Sequence, residues 1–324
     1  MMPTQNRVTE QQPHLQRVDF GRMMRREKVR RVHAHVLMAA VSAAAATGDD
    51  WLALLAHSWT QASRIYEEQL VPRFNPWTQD ALAQLSHHAL ALPSGVCVVP
   101  CCGPGQELPL VAAALGPERT LIGSDLSPGM VEIASARAAS VGPQCTAVVA
   151  DAMQPLCEAK LAAILTVFGL QQLSDPVEAV KMWCTKLEPA GVAVICFWPS
   201  GPVETHGPWQ TYSELMSKRT GSSERKQTTG SWDEQLAAAA EAAGADVLVD
   251  TQPQHTMEWP DGEAIWEYMT RGGPWHYTRL RRGDAFMDDV KSEFLQIHPV
   301  GQVVRHAPRA RLLVLRKRAA ATAL

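Results

Sequence analysis

The sequence predicts a doubly wound α/β fold, in which helices cover both faces of a largely parallel β-sheet. From residue 96 onward, short apolar runs rich in β-branched residues alternate with helical segments, as expected for strands buried on both faces. Turns rich in glycine or proline separate them, and polar side chains stand where several strands end. With 324 residues, of which 46% are hydrophobic, the chain is long enough to bury such a core.

Two helices are predicted before the sheet. Asp49–Asp50 precedes leucines at helical spacing, and acidic residues favour a helix start, so the first helix is expected to continue through Trp59. Pro72 and Pro76 predict a break, because proline lacks the N–H that a helix interior needs. The second helix is expected over residues 78–90.

Five strands and three helices are predicted after residue 95. The strands are expected at residues 96–100, 120–124, 145–150, 162–167 and 191–197. The helices are expected at residues 106–115, 128–140 and 176–186. Parallel strands joined by helices place their carboxyl ends at one edge, which is where open α/β sheets bind ligands. We therefore expect the functional site at this edge.

The overall composition disfavours several functional classes. A net charge of −3 gives no field that would attract nucleic acid, and no apolar stretch reaches the about 18 residues that a membrane span requires. The seven cysteines form no pair of Cys-x-x-Cys motifs, so neither a structural metal site nor a disulfide framework is expected. We expect a cytoplasmic protein with no nucleic-acid partner, no bound metal and no membrane span.

Residues 1–48 are predicted to be an N-terminal extension. Residues 1–47 carry eight basic and three acidic side chains and include an alanine-rich run. We expect a solvated extension with one helix; the alternative is a transit peptide, which would make the location mitochondrial. Residues 49–324 are predicted to form the main domain, with a lid or substrate-binding insert at about 200–300.

A glycine-rich turn follows the first strand. Gly103 and Gly105 lie between this strand and the next helix, where they let a ligand approach the backbone closely. Leu108 stands where a dinucleotide-binding turn has its third glycine, so an NAD(P)-dependent oxidoreductase is the less favoured alternative. Cys101 and Cys102 precede the glycines, and a thiolate nucleophile or redox sensor there is a further alternative.

Acidic side chains end the next two strands. Asp125 follows Gly105 by 20 residues, the distance at which an acidic side chain can accept hydrogen bonds from both hydroxyls of a ribose. Ser127 stands directly before Pro128 and is the better placed helix cap, which leaves Asp125 available to a ligand. Asp151 ends the third strand. Three successive strand ends therefore converge on one predicted site.

These segments resemble the motifs of the class I S-adenosylmethionine-dependent methyltransferases. Val98–Gly105 is similar to the first motif of that family, and Ile122–Met130 is similar to the second. Asp151–Ala152 and Val167–Leu173 resemble the adenine-flanking and fourth-strand motifs of the type 11 methyltransferases, which are related to quinone C-methyltransferases. Ala310–Arg316 is similar to the last, antiparallel strand of that fold. The resemblance implies a Rossmann-like sheet and S-adenosyl-L-methionine as the cofactor.

The resemblance also implies a role for individual residues. Gly103 and Gly105 would pass beneath the methionine moiety, and Asp125 would hold the ribose hydroxyls. Asp151 would accept a hydrogen bond from the adenine amino group, while the backbone of Ala152 contacts the ring. The other implied cofactor contacts stand near the ends of the first, second and fourth strands and are Cys101, Leu126, Met130 and Phe168.

The resemblance is close over about residues 59–199, but the first motif departs from the family pattern. Val99 stands where the family has an acidic residue that helps to hold the methionine end, and Cys101 replaces the first glycine. The alternative function is therefore a non-catalytic member of the fold that binds cofactor or a protein partner. Trp59 and Tyr66 are candidates for residues that close over the cofactor; the alternative is that they belong to the core.

The substrate side is predicted from aromatic and proline-rich segments. Trp198, Glu204 and Trp209 follow the fifth strand and are candidates for contact with a small apolar or planar substrate. The alternative is that most tryptophans of the insert pack in its own core. His206 and His276 are candidates for a general base; the alternative is that each is a structural or solvated histidine. In-line methyl transfer needs alignment more than an acid or base, and a small-molecule acceptor is the expected partner.

Overall fold

The computed structural model describes residues 50–154, 157–220 and 231–319. The strands are β1 (Val96–Pro100), β2 (Leu121–Asp125), β3 (Cys145–Val149), β4 (Leu161–Val167), β5 (Leu187–Phe197), β6 (Ala245–Thr251), β7 (Met257–Trp259), β8 (Val304–His306) and β9 (Arg311–Lys317). The helices are α1 (Asp50–Ile65), α2 (Val71–His88), α3 (Glu107–Leu115), α4 (Pro128–Val141), α5 (Pro176–Lys186), α6 (Pro208–Thr220), α7 (Leu236–Ala242), α8 (Gly262–Arg271), α9 (Trp275–Arg282) and α10 (Asp284–Ile297).

The main sheet has the strand order β3-β2-β1-β4-β5-β9-β6, and β7 pairs separately with β8. The strands from β1 to β5 pair in parallel, whereas β9 is antiparallel to both of its neighbours. This order confirms the predicted doubly wound, mostly parallel sheet with an antiparallel last strand. The direction in which strands are added reverses between β1 and β4, and such sheets bind ligands in the crevice above that point.

Both faces of the sheet are covered by helices. Along the fully buried strand β1, Cys97 and Val99 face an apolar cluster that contains Trp77 of α2. Val98 faces a second cluster on the opposite side, which contains Trp183 of α5. Alternate residues therefore anchor opposite helix layers, as expected for a central parallel strand. This packing fixes the strand ends that carry the site.

The helical region before the sheet differs from the predicted two helices with a break between them. A π-helical turn over Tyr66–Leu70 joins α1 directly to α2, and Pro76 lies inside α2. The N–H of Val71 bonds to the carbonyl of Tyr66, five residues back. Pro72 then falls in the first turn of α2, where its missing N–H costs little. The predicted break at the prolines is therefore wrong, and so is the predicted helix start at residue 78.

Strand β6 lies within the region predicted as a lid or substrate insert, at about residues 200–300. It pairs with β9 at the edge of the main sheet. Most of its residues are half-exposed or exposed, so it lacks the continuous apolar run that marks the central strands. The helices of this region are therefore separated by a strand of the main sheet.

Aromatic side chains join α6 to the helices α8, α9 and α10. Tyr212 stacks on Trp275 with ring centroids 3.8 Å apart, and Trp266 contacts Phe294 at 5.2 Å. Trp266 and Phe294 are fully buried. Trp266 and Trp275 therefore pack against other aromatic residues of this region.

The predicted N-terminal extension, and its alternative role as a transit peptide, lie outside the described residues. Among the helices that the structure describes, none combines the length and the apolar character needed to cross a membrane.

Candidate functional site

A cleft of about 740 Å³, including its open mouth, lies at the carboxyl ends of β1 to β4. It lies at the sheet edge where the sequence predicts the site. Eight of the nine predicted cofactor-binding residues line it: Cys101, Gly103, Asp125, Leu126, Met130, Asp151, Ala152 and Phe168. The structure thus brings these residues together, and their contact with a cofactor stays a prediction.

The two glycines of the turn have different surroundings. Both have a positive φ, of 53° at Gly103 and 77° at Gly105, which favours glycine. A Cβ at Gly105 would lie 2.8 Å from the Cβ of Ala134 on α4, so this glycine lets the turn pack against that helix. Gly105 does not line the cleft, whereas Gly103 does, and a Cβ at Gly103 would lie 3.8 Å from Cε1 of Tyr66.

Asp125 is held at the end of β2 by backbone N–H groups. Its Oδ2 accepts a hydrogen bond from the N–H of Gly103 at 2.9 Å, and its Oδ1 accepts one from Ser127 at 2.9 Å. Ser127 Oγ accepts the N–H of Met130, which confirms Ser127 as the cap of α4. Burial raises the pKa of Asp125, and the N–H donors oppose that rise. The carboxylate is therefore oriented before any ligand arrives.

The described lining of the cleft is acidic and aromatic. Its charged side chains are Asp125 and Asp151, and it contains no lysine, arginine or histidine. One oxygen of Asp151 accepts the N–H of Met153 at 2.9 Å. Aromatic rings also line the cleft: Trp51, Trp59, Tyr66 and Phe168. Carboxylates and aromatic faces both favour a positively charged ligand. No group of three or more potential metal ligands occurs within the described ranges.

Cys101 and Phe168 both line the cleft and both have left-handed backbones, with φ of 53° and 57°. Such a conformation costs a residue with a Cβ about 1 kcal/mol. Gly169 makes room for the Cys101 side chain, because a Cβ at Gly169 would lie 2.3 Å from that of Cys101. Burial, with Asp125 and Asp151 nearby, raises the pKa of the Cys101 thiol. The thiol is therefore neutral, which argues against a thiolate nucleophile.

Gly169→Ala is expected to destabilise the protein by about 1–3 kcal/mol, because the new methyl group overlaps the Cys101 side chain. Urea denaturation measures the loss. Cys101→Gly in the same chain should recover part of it, giving a coupling free energy of about 1 kcal/mol in a double-mutant cycle. Gly201→Ala is the control, because a Cβ at Gly201 meets no atom within 4 Å. Strictly additive effects of the two cleft substitutions would contradict this packing.

Helix α1 and the turn that follows it form one side of the cleft. The sequence predicts only some of the residues on this side. Trp59 and Tyr66, the candidates for closing over the cofactor, do line the cleft. Trp51, Leu52 and Leu55 also line it, although no motif marks them. Their sequence signal is ordinary helical spacing, which does not distinguish a ligand-facing stripe from a core-facing one.

The predicted substrate residue Glu204 is bound within the protein and does not line the cleft. Its Oε1 accepts the N–H of Trp209 at 2.7 Å at the start of α6, and its Oε2 contacts Nδ1 of His306 at 2.7 Å. Nε2 of His306 accepts the indole N–H of Trp259 at 2.9 Å. Glu204 therefore stabilises the start of a helix. Trp198 also lies outside the cleft lining, behind Phe168.

Neither predicted general base lines the cleft. The two ring nitrogens of buried His276 contact the carbonyl of Thr270 at 2.9 Å and Oε1 of Gln61 at 3.1 Å. Burial lowers the pKa of His276, so its ring is neutral at pH 7. His206 is exposed in the loop before α6. These positions give His276 a structural role and leave His206 in solvent.

Glu107, at the start of α3, is a buried acid that motif reasoning missed. Its carboxyl accepts hydrogen bonds from Gln106 at 2.6 Å and Thr78 at 3.5 Å. Burial raises its pKa from 4.5 to about 7. Because the folded state holds this proton more tightly, the contribution of Glu107 to stability is greatest below pH 4.5. It falls as the pH rises to about 7 and is constant above that.

Glu107→Gln is therefore expected to flatten the fall in stability between pH 4.5 and 7. In the wild type, Glu107 lowers the free energy of unfolding across this pH range by about 1.4 kcal/mol for each unit by which its pKa is raised. Urea denaturation at a series of pH values measures it, with the exposed Glu118→Gln variant as the control. A pH profile in which E107Q parallels the wild type would contradict the protonated state of Glu107.

A family model described as a methyltransferase domain matches residues 99–191. This segment is similar to a methyltransferase domain. It contains the glycine turn, Asp125, Asp151 and Phe168, so it supplies most of the cleft. The match confirms the resemblance to the methyltransferases that the motifs predict. No curated protein matches the sequence.

Several solved structures are similar to this chain. A protein of Bacillus subtilis is 15% identical with a TM-score of 0.46, over 75% of this chain and 100% of its own. A Thiobacillus denitrificans S-adenosylmethionine-dependent methyltransferase, in complex with S-adenosylhomocysteine, is 17% identical with a TM-score of 0.41, over 74% and 91%. Haemonchus contortus phosphoethanolamine N-methyltransferase 2 is 16% identical with a TM-score of 0.42, over 74% and 53%.

Proposed function

We propose that the protein transfers a methyl group from S-adenosyl-L-methionine to a small-molecule acceptor by direct in-line displacement. The observation that carries this proposal is the position of Asp125 and Asp151. They stand at the ends of adjacent strands and line one cleft beside the glycine turn of a methyltransferase domain. Two carboxylates at adjacent strand ends of one cleft can accept hydrogen bonds from the two polar ends of an adenosine.

The residues of the cleft fit this cofactor. The oriented carboxylate of Asp125 can accept hydrogen bonds from ribose hydroxyls, and the carboxylate of Asp151 can accept one from an adenine amino group. Leu126 and Met130 supply apolar contacts for the nucleoside. The aromatic faces and the absence of cationic side chains from the described lining suit a sulfonium.

The chain contributes orientation and exclusion of water. S-adenosylmethionine, when bound, supplies an electrophilic methyl carbon with a neutral thioether as leaving group. The bare backbone of Gly103 and the fixed carboxylate of Asp125 orient the ligand from below, and Trp59 and Tyr66 shield the cleft from the side of the N-terminal helices. Phe168 closes the side that faces β5. No described lysine, arginine or histidine lines the cleft, so alignment supplies the rate enhancement.

Titration calorimetry with S-adenosylmethionine and S-adenosylhomocysteine tests the cofactor. Saturable binding of both, followed by transfer of a labelled methyl group to acceptors from a panel of phenols, quinols and amines, is the expected result. The absence of binding at millimolar ligand would overturn the proposal.

A second candidate function is cofactor binding without methyl transfer. Val99 is buried and apolar where an acid is expected, and Cys101 adds a side chain beside the reacting end of the cleft. Binding in calorimetry together with no labelled product from the acceptor panel would support this candidate. Labelled product would exclude it.

A further inference from the structure

A buried polar cluster lies behind the glycine turn, apart from the two carboxylates that the proposed function uses. Its centre is Glu107, which is 2% exposed and accepts hydrogen bonds at Oε1 from Gln106 and Thr78. The Oε1 of Gln106 is buried and has no hydrogen-bond partner among the described residues. A primary ammonium group donates up to three hydrogen bonds and accepts none. It is therefore the kind of group that complements this excess of acceptors.

Tyr66 connects the cluster to the cleft, which Glu107 itself does not line. The Tyr66 ring lines the cleft, and a Cβ at Gly103 would lie 3.8 Å from its Cε1. Burial raises the pKa of Tyr66, and the charges of Glu107 and Asp125 raise it further, so its hydroxyl is within electrostatic reach of both carboxyls. No described residue makes a hydrogen bond to this hydroxyl. The Tyr66 oxygen is therefore available to a group bound in the cleft.

A salt bridge holds the π-helical turn that carries Tyr66 against the glycine turn. Arg137 of α4 donates one hydrogen bond to Oε1 of Glu67 at 2.5 Å and another to the carbonyl of Pro104. Glu67 directly follows Tyr66, and Pro104 stands between the two glycines. The Tyr66 ring therefore cannot leave the turn unless these bonds break or its own side chain rotates.

The groups electrostatically coupled to Glu107 are Tyr66 of the π-helical turn, Cys102 of the glycine turn and Arg137 of α4; Tyr66 and Cys102 are coupled to Asp125 as well. Burial raises the pKa of Tyr66 and of Cys102, so both are neutral at pH 7. Burial also raises the pKa of Glu107 to about 7, although its hydrogen bonds and Arg137 oppose the rise. Glu107 therefore changes charge near neutral pH, and a cation beside Tyr66 would favour its ionised form.

We propose that Glu107 is a positioning residue for the primary ammonium group at the methionine end of the cofactor, and that binding of this group releases the Glu107 proton. This inference rests on the proposed methyltransferase function and concerns how the same site holds one end of its ligand. The Tyr66 oxygen accepts a hydrogen bond from the ammonium, and the charge of Glu107 stabilises it across the buried hydroxyl. The O–H bond of the Glu107 carboxyl breaks, its proton passes to the buffer, and no other bond changes.

Titration calorimetry of the full chain in buffers of different ionisation enthalpy counts the protons released on binding. The probes are S-adenosylhomocysteine and 5′-methylthioadenosine, which has the same adenosine and thioether but no amino-acid end. At pH 7 the first is expected to release about half a proton more than the second, because about half of the Glu107 carboxyls are protonated there. Glu107→Gln should abolish this difference, and the exposed Glu118→Gln variant should keep it. The same difference in E107Q as in the wild type would overturn the proposal.

Affinities at pH 8, where Glu107 of the wild type is mostly ionised, supply a second measurement. E107Q should bind S-adenosylhomocysteine about tenfold more weakly and 5′-methylthioadenosine equally well. In a Tyr66→Phe chain, E107Q should cost less affinity than in the wild type, because the hydroxyl that joins Glu107 to the ligand is gone.

Equal losses of affinity for the two ligands in E107Q would assign Glu107 a purely structural role and overturn the proposal. Glu107→Asp, which keeps a titrating carboxyl, serves if E107Q does not fold, and it is expected to retain part of the proton release. Failure of both ligands to bind the wild type would overturn the proposed function itself, and this inference with it.

Discussion

Replacing Asp125 with alanine is expected to weaken the binding of S-adenosylmethionine about 100-fold or more. The carboxylate is oriented by the N–H groups of Gly103 and Ser127, and in the proposed complex it accepts hydrogen bonds from the ribose. Hydrogen bonds to a charged group contribute about 1.5–3 kcal/mol each, and 1.4 kcal/mol corresponds to a tenfold change in Kd. Titration calorimetry at constant pH gives the ratio of affinities directly.

Asp261→Ala is the matched control for this loss. Asp261 also accepts two backbone N–H groups, from Ala264 at 2.8 Å and Gly301 at 2.9 Å, but it does not line the cleft. Both variants lose a carboxylate that fixes backbone, so both are expected to lose stability. Only D125A should lose cofactor affinity. Equal affinities in D125A and D261A would remove Asp125 from the site.

Trp77→Ala is expected to lower the free energy of unfolding by about 3–5 kcal/mol. The Trp77 ring is fully buried between α2 and the sheet, and its indole N–H donates to the carbonyl of Pro253 at 3.2 Å. Its ring also meets Phe168 and Trp198 at centroid distances of 5.9 and 5.3 Å. The substitution thus leaves a cavity beneath these two rings and removes one of the two hydrogen bonds that the Pro253 carbonyl accepts, the other coming from the N–H of Ala310. Urea denaturation followed by far-UV circular dichroism measures the change.

Trp51→Ala provides the comparison at an exposed position. Trp51 retains 36% of its surface accessible at the mouth of the cleft, so its removal should cost less than about 1 kcal/mol. A loss of stability in W77A as small as that in W51A would show that the region around α2 collapses to refill the space. Such a result would also contradict the inference that Trp77 holds Phe168 in place.

The parts of the site that the sequence predicts are those with local signals. Asp125, Asp151 and the glycine turn each sit at a strand end, and strand ends of a parallel sheet meet at one edge whatever the rest of the fold does. Ser127 as a helix cap is similarly determined by its position before Pro128. These residues could be placed in one site without knowledge of any distant contact.

The parts that could not be predicted depend on distant contacts. The stack of Trp198 on Phe168 joins residues from two strand ends, and nothing near either residue specifies its partner. Strand β6 is an edge strand whose pairing with β9 spans more than 60 residues. Glu204 is polar and lies in a proline-rich loop, so only its contact with His306 reveals that it is internal. Burial in these cases is decided by tertiary packing.

The π-helical turn over Tyr66–Leu70 sets the angular phase between α1 and α2. An α-helix rotates by about 100° per residue, and a π-helical turn accommodates one more residue than an α-helical turn. If the connection were regular α-helix, that extra residue would rotate α1 about its axis by nearly 100°. Leu52, Leu55 and Trp59 would then face away from the cleft while α2 kept its contacts with the sheet. Loss of one residue from the turn keeps the two helices in phase, whereas loss of one residue from within α1 does not. Within α1 and the π-helical turn, single-residue deletions should therefore be tolerated only in the turn.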